Sequence, residues 1–398
     1  MKRAILLFAI LFFYGGAVGQ STATREPMRG LWVVRHEITT PEKIDSLLER
    51  ARRWGITDLF VQVRGRGDAY YRSQYEPHAH DIPDPDFDPL GYLLSHTRKD
   101  HLRIHAWLNV LYVWSSDTLP REKNHVVNRR SDWLARPLNQ NSLLKNYPHS
   151  VKKEHVEGLY VSPMLPGVQE EFLKILDDLL SHYQVDGIHL DYIRYPNNRF
   201  DLHPDIVEGF RHRYALDPRD FLSDPERFAR EYSLPGYESF SLHWRKYLMN
   251  GLSDFVRKIA RRVRAHSPHI LVSAAVKPDI ARAHWEYYQN WDGWLESGWL
   301  DFAVPMNYTP DAKTFRERLE SYIDRLPDGK YAVGVALYNQ SQKKVLQKLN
   351  QVLAIQPRGF VLFSYRQLVT QPLVQRFLQQ QNQNKNPFGH PATHSAPN

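Results

Sequence analysis

The chain has 398 residues, 42% of them apolar and 24% charged, with a formal net charge of +8. These values belong to a folded globular protein long enough for one large domain or two ordinary ones. It holds no cysteine, which excludes a disulfide framework and a lipid anchor built on a cysteine.

The first segment, residues 1–19, reads as a signal peptide. Lys2 and Arg3 precede an apolar run from Ala4 to Tyr14, and Ala17 and Gly19 suit the small-residue cleavage site, so the mature chain is expected to start near Gln20. The apolar run is short for a membrane span. The expected location is therefore exported, periplasmic or extracellular, with no membrane contact after cleavage. The positive excess suits an anionic polymer or a set of solvated helix faces. Nucleic acid is not expected as a partner of an exported chain without a nucleic-acid motif.

Eight short apolar runs follow in chain order. They are RGLWVVR (29–35), DLFVQVR (58–64), RIHAWLNV (103–110), GIHLDYI (187–193), ILVSAAV (270–276), DFAVPMNY (301–308), KYAVGVAL (330–337) and GFVLFSY (359–365). Their Val, Ile, Leu and aromatic content predicts strands, and their weak alternation predicts strands covered on both faces. Helical stripes lie between them. Ile44, Leu47, Leu48 and Ala51 mark a helix over 41–55, and 88–101, 170–183, 243–268, 314–326 and 342–356 behave alike. Eight alternations predict an α/β fold, a (β/α)8 TIM barrel over residues 20–375; a doubly wound sheet is the alternative. Long connections after the third and fourth strands, 111–169 and 197–242, are expected to overhang the C-terminal strand ends. Residues 376–398 are expected to be a disordered polar tail.

In parallel α/β folds chemistry sits at those strand ends. The most telling one is VDGIHLDYIRYP (185–196), which places Asp191 among Tyr192, Arg194 and Tyr195. A carboxylate among flat rings suits glycosyl transfer, which needs an anion near a developing oxocarbenium and apolar faces for the sugar. Asp191 is expected to act as nucleophile or general base, with Asp68 or Asp279 as partner carboxyl. Arg64, Asn109, Arg194, Asn307 and Tyr308 are candidates for binding sugar, with Trp107, Trp114 and Tyr192 as stacking platforms. Asp186 is assigned a structural role, and His105 and His189 are assigned to the barrel interior. No metal-ligand spacing, phosphate loop or nucleophile elbow occurs, so neither a metal nor an organic cofactor is expected.

Taken together, RGLWVVR, FVQVRGRGDAYYRSQYEP, DPLGYLLSHTRKDHLRIHAWLN, VDGIHLDYIRYP and WLESGWLDFAVPMNY resemble, in collinear order, the glycosyl hydrolase-like 10 family of envelope glycosidases. The resemblance implies a TIM barrel, export, and glycosidase action, in one branch on peptidoglycan glycan strands stripped of peptide. It carries over to Arg64, Gly67, Asp68 and Tyr71, to His105, Trp107 and Asn109, and to Asp186, Gly187 and Asp191. The family often has a second Asp where this chain has Tyr192, a Pro at Val110 and a Ser-Pro-Phe-Gly at Ser273–Val276. The expected function is hydrolysis of an envelope or extracellular polysaccharide by a carboxylate pair that includes Asp191. The rival expectation, kept open by Tyr192, is a non-catalytic barrel that binds cell-wall glycan.

Overall fold

A computed structural model describes residues 27–138 and 142–383. The expected signal peptide and the chain beyond Gln383 lie outside them. Eight strands are present: β1 (Met28–Val33), β2 (Asp58–Arg64), β3 (Arg103–Asn109), β4 (Gly187–Asp191), β5 (Leu271–Val276), β6 (Phe302–Pro305), β7 (Ala332–Ala336) and β8 (Gly359–Phe363). They pair in parallel in the order β6-β5-β4-β3-β2-β1-β8-β7. Isolated bridges from Ala303 to Tyr331 and from Met306 to Gly334 bring β6 against β7, so the sheet closes into the expected barrel. The sixth strand is shorter than its apolar run because the chain turns tightly after Pro305, where Asn307 N donates to Pro305 O and Tyr308 N to Met306 O.

The strands are buried on both faces, which is why their sequences lack alternation. Outward residues such as Leu31, Leu59 and Val61 meet the helices in one large core. Helix Pro41–Arg53 turns Ile44, Leu47, Leu48 and Ala51 to that core and is capped by Thr40, which accepts from Lys43 N. Inward residues form a second cluster with Trp32, Phe60, Trp107 and Phe302. Small residues make room for large ones there: a Cβ on Gly187 would lie 2.2 Å from His105 Nδ1, and one on Gly30 would lie 2.8 Å from Val361 Cγ2.

The barrel interior also holds two polar knots. Trp32 Nε1 donates to His189 Nε2 at 3.3 Å, so the His189 proton sits on Nδ1, which lies 2.9 Å from Ser273 Oγ. Burial, with His105 nearby, holds His189 well below the usual histidine range, and the ring is neutral. Below it, Asp58 meets His105 Nε2 at 2.9 Å and Arg103 NH2 at 2.7 Å. Burial alone would raise the Asp58 carboxyl, but those two partners outweigh it and hold the group far below the usual carboxylate range.

The long connections differ in what they cover. In the first, Tyr112–Trp114 pairs antiparallel with Leu159–Tyr160, and the resulting hairpin stands over the barrel mouth. In the second, helices Pro204–Tyr214, Pro218–Leu222 and Pro225–Tyr232 pack through Phe210, Phe221 and Phe228 toward Trp244 and Phe240 of the 33-residue helix Leu234–His266. Residues 376–383, expected to belong to a disordered tail, lie instead in helix Pro372–Gln383, which buries Val374 and Leu378, and the Asn382 side chain lies against Gly55. Val374 and Leu378, four apart on one face, and the partly buried Phe377 pack this last helix on the core.

Candidate active site

The C-terminal ends of the strands surround a cavity of about 280 Å³. Its floor and walls include Trp32, Trp107, Tyr112, Tyr192, Tyr308 and Phe363, with Gln62, Asn109, Asp191 and Arg194 as the polar groups used below. A larger depression of about 1000 Å³ lies on the barrel flank between helices Pro89–Ser95 and Pro166–His182. It takes in Ile104 and Asp186 from the opposite ends of the strands, where Asp186 Oδ2 accepts from Ile104 N at 2.7 Å. The smaller cavity is the one at the C-terminal strand ends, where chemistry sits in parallel α/β folds.

Asp191 is the last residue of β4 and only 7% exposed. Its Oδ1 accepts from Tyr192 N at 2.6 Å, and Tyr192 makes the close turn with φ +50°. Burial pushes the Asp191 carboxyl up to about 6, against the pull of Arg194, that backbone N–H and Lys277. Glu157 acts on it in the same direction as burial. Glu157 sits just before the return strand of the hairpin, half exposed. Burial would raise it too, but Arg194, 3.2 Å away, and the Tyr160 hydroxyl, donating at 2.8 Å, hold it below the usual range. Two carboxyls that both feel Arg194 are thus pushed apart, one toward the acid form and one toward the anion. Lys277, following β5, stands 4.1 Å from the Tyr287 ring centre. Burial and Arg194 lower its ammonium to about 8.

The rings form two walls. Tyr112 and Tyr192 stack at 4.5 Å, and the Arg194 guanidinium lies 4.6 Å from the Tyr192 ring centre. Facing them, Trp32 meets Tyr308 edge-on at 6.0 Å and Phe363 at 5.9 Å. Between the walls, Asn109 Oδ1 accepts from Trp107 Nε1 at 2.9 Å and its Nδ2 donates to Gly65 O at 2.7 Å. Such a network fixes the orientation of the amide and of the indole.

The structure therefore brings Asp191, Trp107, Asn109, Tyr192, Arg194 and Tyr308 to one cavity, and places the other five candidates outside it. Arg64 is 4% exposed and paired with Glu76 at 2.7 Å; it also donates to the carbonyl of Asn109. Asp68 is buried beside that pair, where its Oδ1 accepts from Arg66 N at 2.7 Å. Asp279 is exposed and caps helix Ile280–Tyr287 by accepting from Arg282 N at 2.9 Å. Trp114 donates to Thr118 O at 2.7 Å and carries Arg66 on its face at 4.9 Å. Asn307 is tied to Phe315 O at 3.2 Å and Arg318 at 3.0 Å.

Glu157 escaped the sequence reasoning because it lies in a connection without periodicity. One signal was available. Gly158 follows it, and a Cβ there would lie 2.1 Å from Trp114 O, so the glycine marks the close approach of a second strand. Among the described residues, no group of three or more His, Cys, Asp or Glu is placed to hold a metal ion.

Chemically, the cavity offers a carboxyl that holds its proton up to about pH 6 and rings that can cover an apolar face, and Arg194 on its wall is paired with a carboxylate that stays charged. Glycosyl hydrolase YngK of Bacillus subtilis (strain 168) is 23% identical over 286 residues, which cover 66% of this chain and 48% of the relative. Glycosyl hydrolase DigH of Escherichia coli (strain K12) is 24% identical over 337 residues, 73% of this chain and 67% of the relative. The chain thus spans about half the length of YngK. Among solved structures, the PgaB (BpsB) glycoside hydrolase domain from Bordetella bronchiseptica superposes with a TM-score of 0.63 at 12% identity, covering 88% of this chain and 98% of that domain. Alpha-L-fucosidase isoenzyme 2 from Paenibacillus thiaminolyticus gives 0.53 at 12% identity, with 90% and 49% covered. At such identities the structural likeness shows the shared barrel. The family model described as Glycosyl hydrolase-like 10 matches residues 27–356, a span that holds Asp191, Glu157 and both long connections, and the chain belongs to that family.

Proposed function

We propose that this protein hydrolyses O-glycosidic bonds of an envelope or extracellular polysaccharide, with Asp191 as the proton-carrying carboxyl and Glu157 as the charged one. The observation that carries the reading is the Asp191 side chain, buried by aromatic rings and pushed up to about 6 at the wall of the cavity. Acetal cleavage needs a carboxylic acid that protonates the leaving oxygen and a carboxylate that assists on the sugar. This exchanges the role expected for Asp191 from sequence, because burial and the Arg194–Glu157 pair favour opposite protonation states for the two groups. Tyr112, Tyr192 and Tyr308 cover sugar faces, and Asn109, Gln62 and Arg194 bind hydroxyls.

Family membership supports the reaction class. The basic, apolar N-terminus supports export, as does the name of one relative, an S-layer-related protein of Niallia circulans, 24% identical over 390 residues that cover 85% of this chain and 23% of the relative. No helix among the described residues is long and apolar enough to cross a membrane. Peptidoglycan glycan strands, which the motif resemblance implies, are the polymer to test first.

The test is fragment release from peptide-stripped glycan strands, read by mass spectrometry. Asp191→Asn is expected to lose at least about a hundredfold in rate, the range of a general acid, while still sedimenting with insoluble wall. Wall binding by the wild type without release from any glycan offered would make the protein a glycan-binding barrel instead.

A further inference from the structure

Tyr338 follows β7 by two residues and is 55% exposed. A single exposed tyrosine is ordinary, but this ring continues a wall. It stands edge-on to Tyr308 at 6.3 Å and to Phe363 at 6.2 Å. Both of those rings line the cavity and meet Trp32 below. Four rings thus run without a break from the cavity floor to the surface.

The loop that carries Tyr338 is tied down. Asn339 Nδ2 donates to Tyr308 O at 2.6 Å, Gln340 Nε2 to Ala336 O at 2.7 Å, and Lys348 Nζ to Gln340 Oε1 at 2.6 Å. A half-exposed ring gains little from the core, so this fixation is best explained as preparation for a ligand, whose binding then loses less entropy. The cavity itself, at about 280 Å³, is at the small end for ligand sites, so a longer ligand must continue beyond its rim.

We propose that Tyr338 is a stacking platform for a second sugar ring outside the Asp191 cavity, so that the site takes a segment of a polymer. The proposal rests on the reading of the cavity as a glycan site and extends that site on the β7 side. The opposite wall, Tyr112 and Tyr192, lies on the β3–β4 side, and Asp191 acts electrostatically on Tyr192 and Tyr308 alike. A chain passing over Tyr338 would therefore reach Asp191 between the two walls.

The test uses full-length Asp191→Asn protein, which leaves the ligand uncut, and peptide-stripped peptidoglycan oligosaccharides of two, four and six sugars, with affinity measured by calorimetry. Affinity is expected to rise from two to four sugars. Adding Tyr338→Ala should remove about five- to tenfold of the four-sugar affinity, the worth of one ring contact, and leave two-sugar binding unchanged. Tyr338→Trp should restore it. Trp285, 47% exposed and held by Arg245 at 4.2 Å, has no ring contact with the cavity wall among the described residues, and Trp285→Ala should change nothing. Equal loss at every length, no loss from Tyr338→Ala, or no binding at any length overturns the platform. If wild-type protein cleaves these glycans while Tyr338→Ala is silent, the platform fails and the hydrolase reading stands. If length-dependent binding needs Tyr338 but the wild type releases nothing, the reverse holds.

Discussion

Asp191 carries a proton at a pH where an exposed aspartate would not, and this has consequences for both stability and rate. Its carboxyl is shifted from 3.8 to about 6. A group raised on folding binds its proton more tightly in the native state, so stability falls as pH climbs from 3.8 through 6. The full cost above that range is about 3 kcal/mol at 1.36 kcal/mol per unit. Asp191→Asn should therefore raise the melting temperature by a few degrees at pH 7.5 and leave it unchanged near pH 3.5, while abolishing fragment release. Such a trade of stability for chemistry is common at active sites. In the rate, an acid role predicts that kcat/KM falls as pH rises through about 6. Lys277 lowers the Asp191 carboxyl, so Lys277→Met should move that limb to higher pH. A limb that rises with pH through 6 would give Asp191 the base or nucleophile role. The strand register made Asp191 legible from sequence. Its protonation state was not, because that depends on rings and cations gathered from β3, β5, β6 and the hairpin.

At the scale of elements, a buried ion pair pins the loop after β2 to the tip of that strand, and its arginine reaches across to the tip of β3. Arg64 closes on Glu76 at 2.7 Å, both side chains 4% exposed, and donates to the Asn109 carbonyl. Arg64→Met leaves the Glu76 carboxylate buried without its cation and should cost about 3–5 kcal/mol, read as a lower denaturation midpoint. Adding Glu76→Met should recover most of the loss. Failure to recover would show that the backbone contacts of Arg64, rather than its charge, hold the tips. The barrel strands were legible because parallel, doubly covered strands leave dense runs of Val, Ile and Leu. The fate of polar residues at their ends was less so. Nothing in the spacing from Arg64 to Glu76 says that the loop curls back to pair them. Asp279 was read as a candidate acid, although an Asp directly before a helix is more often its cap.

Across the whole molecule, the polar knots inside the barrel link folding to pH. His189 is neutral when folded and titrates normally when unfolded, so its depressed value destabilises the fold as pH drops below about 6.5, by about 1.4 kcal/mol per unit. Asp58, held far below the usual range, supplies stability that is present above pH 4 and lost in stronger acid. In Asp191→Asn protein, where the opposing titration at position 191 is absent, melting temperature should therefore decline between pH 6.5 and 5 before any loss from Asp58 begins. A flat profile there would mean that His189 accepts a proton inside the barrel. The eightfold alternation made the architecture legible at this scale. The docking of helix Pro372–Gln383 was missed because its glutamine-rich sequence masks two inward apolar positions, Val374 and Leu378. If Asp191 acts on the substrate, a glycan bond lies beside it inside the ring-walled cavity. A crystal structure of Asp191→Asn with a peptidoglycan tetrasaccharide should show the bridging oxygen within about 3.2 Å of the side chain at position 191, with rings against Tyr192 and Tyr308. A saccharide seated in the flank groove at Asp88 and Asp178, with the cavity empty, would refute that role.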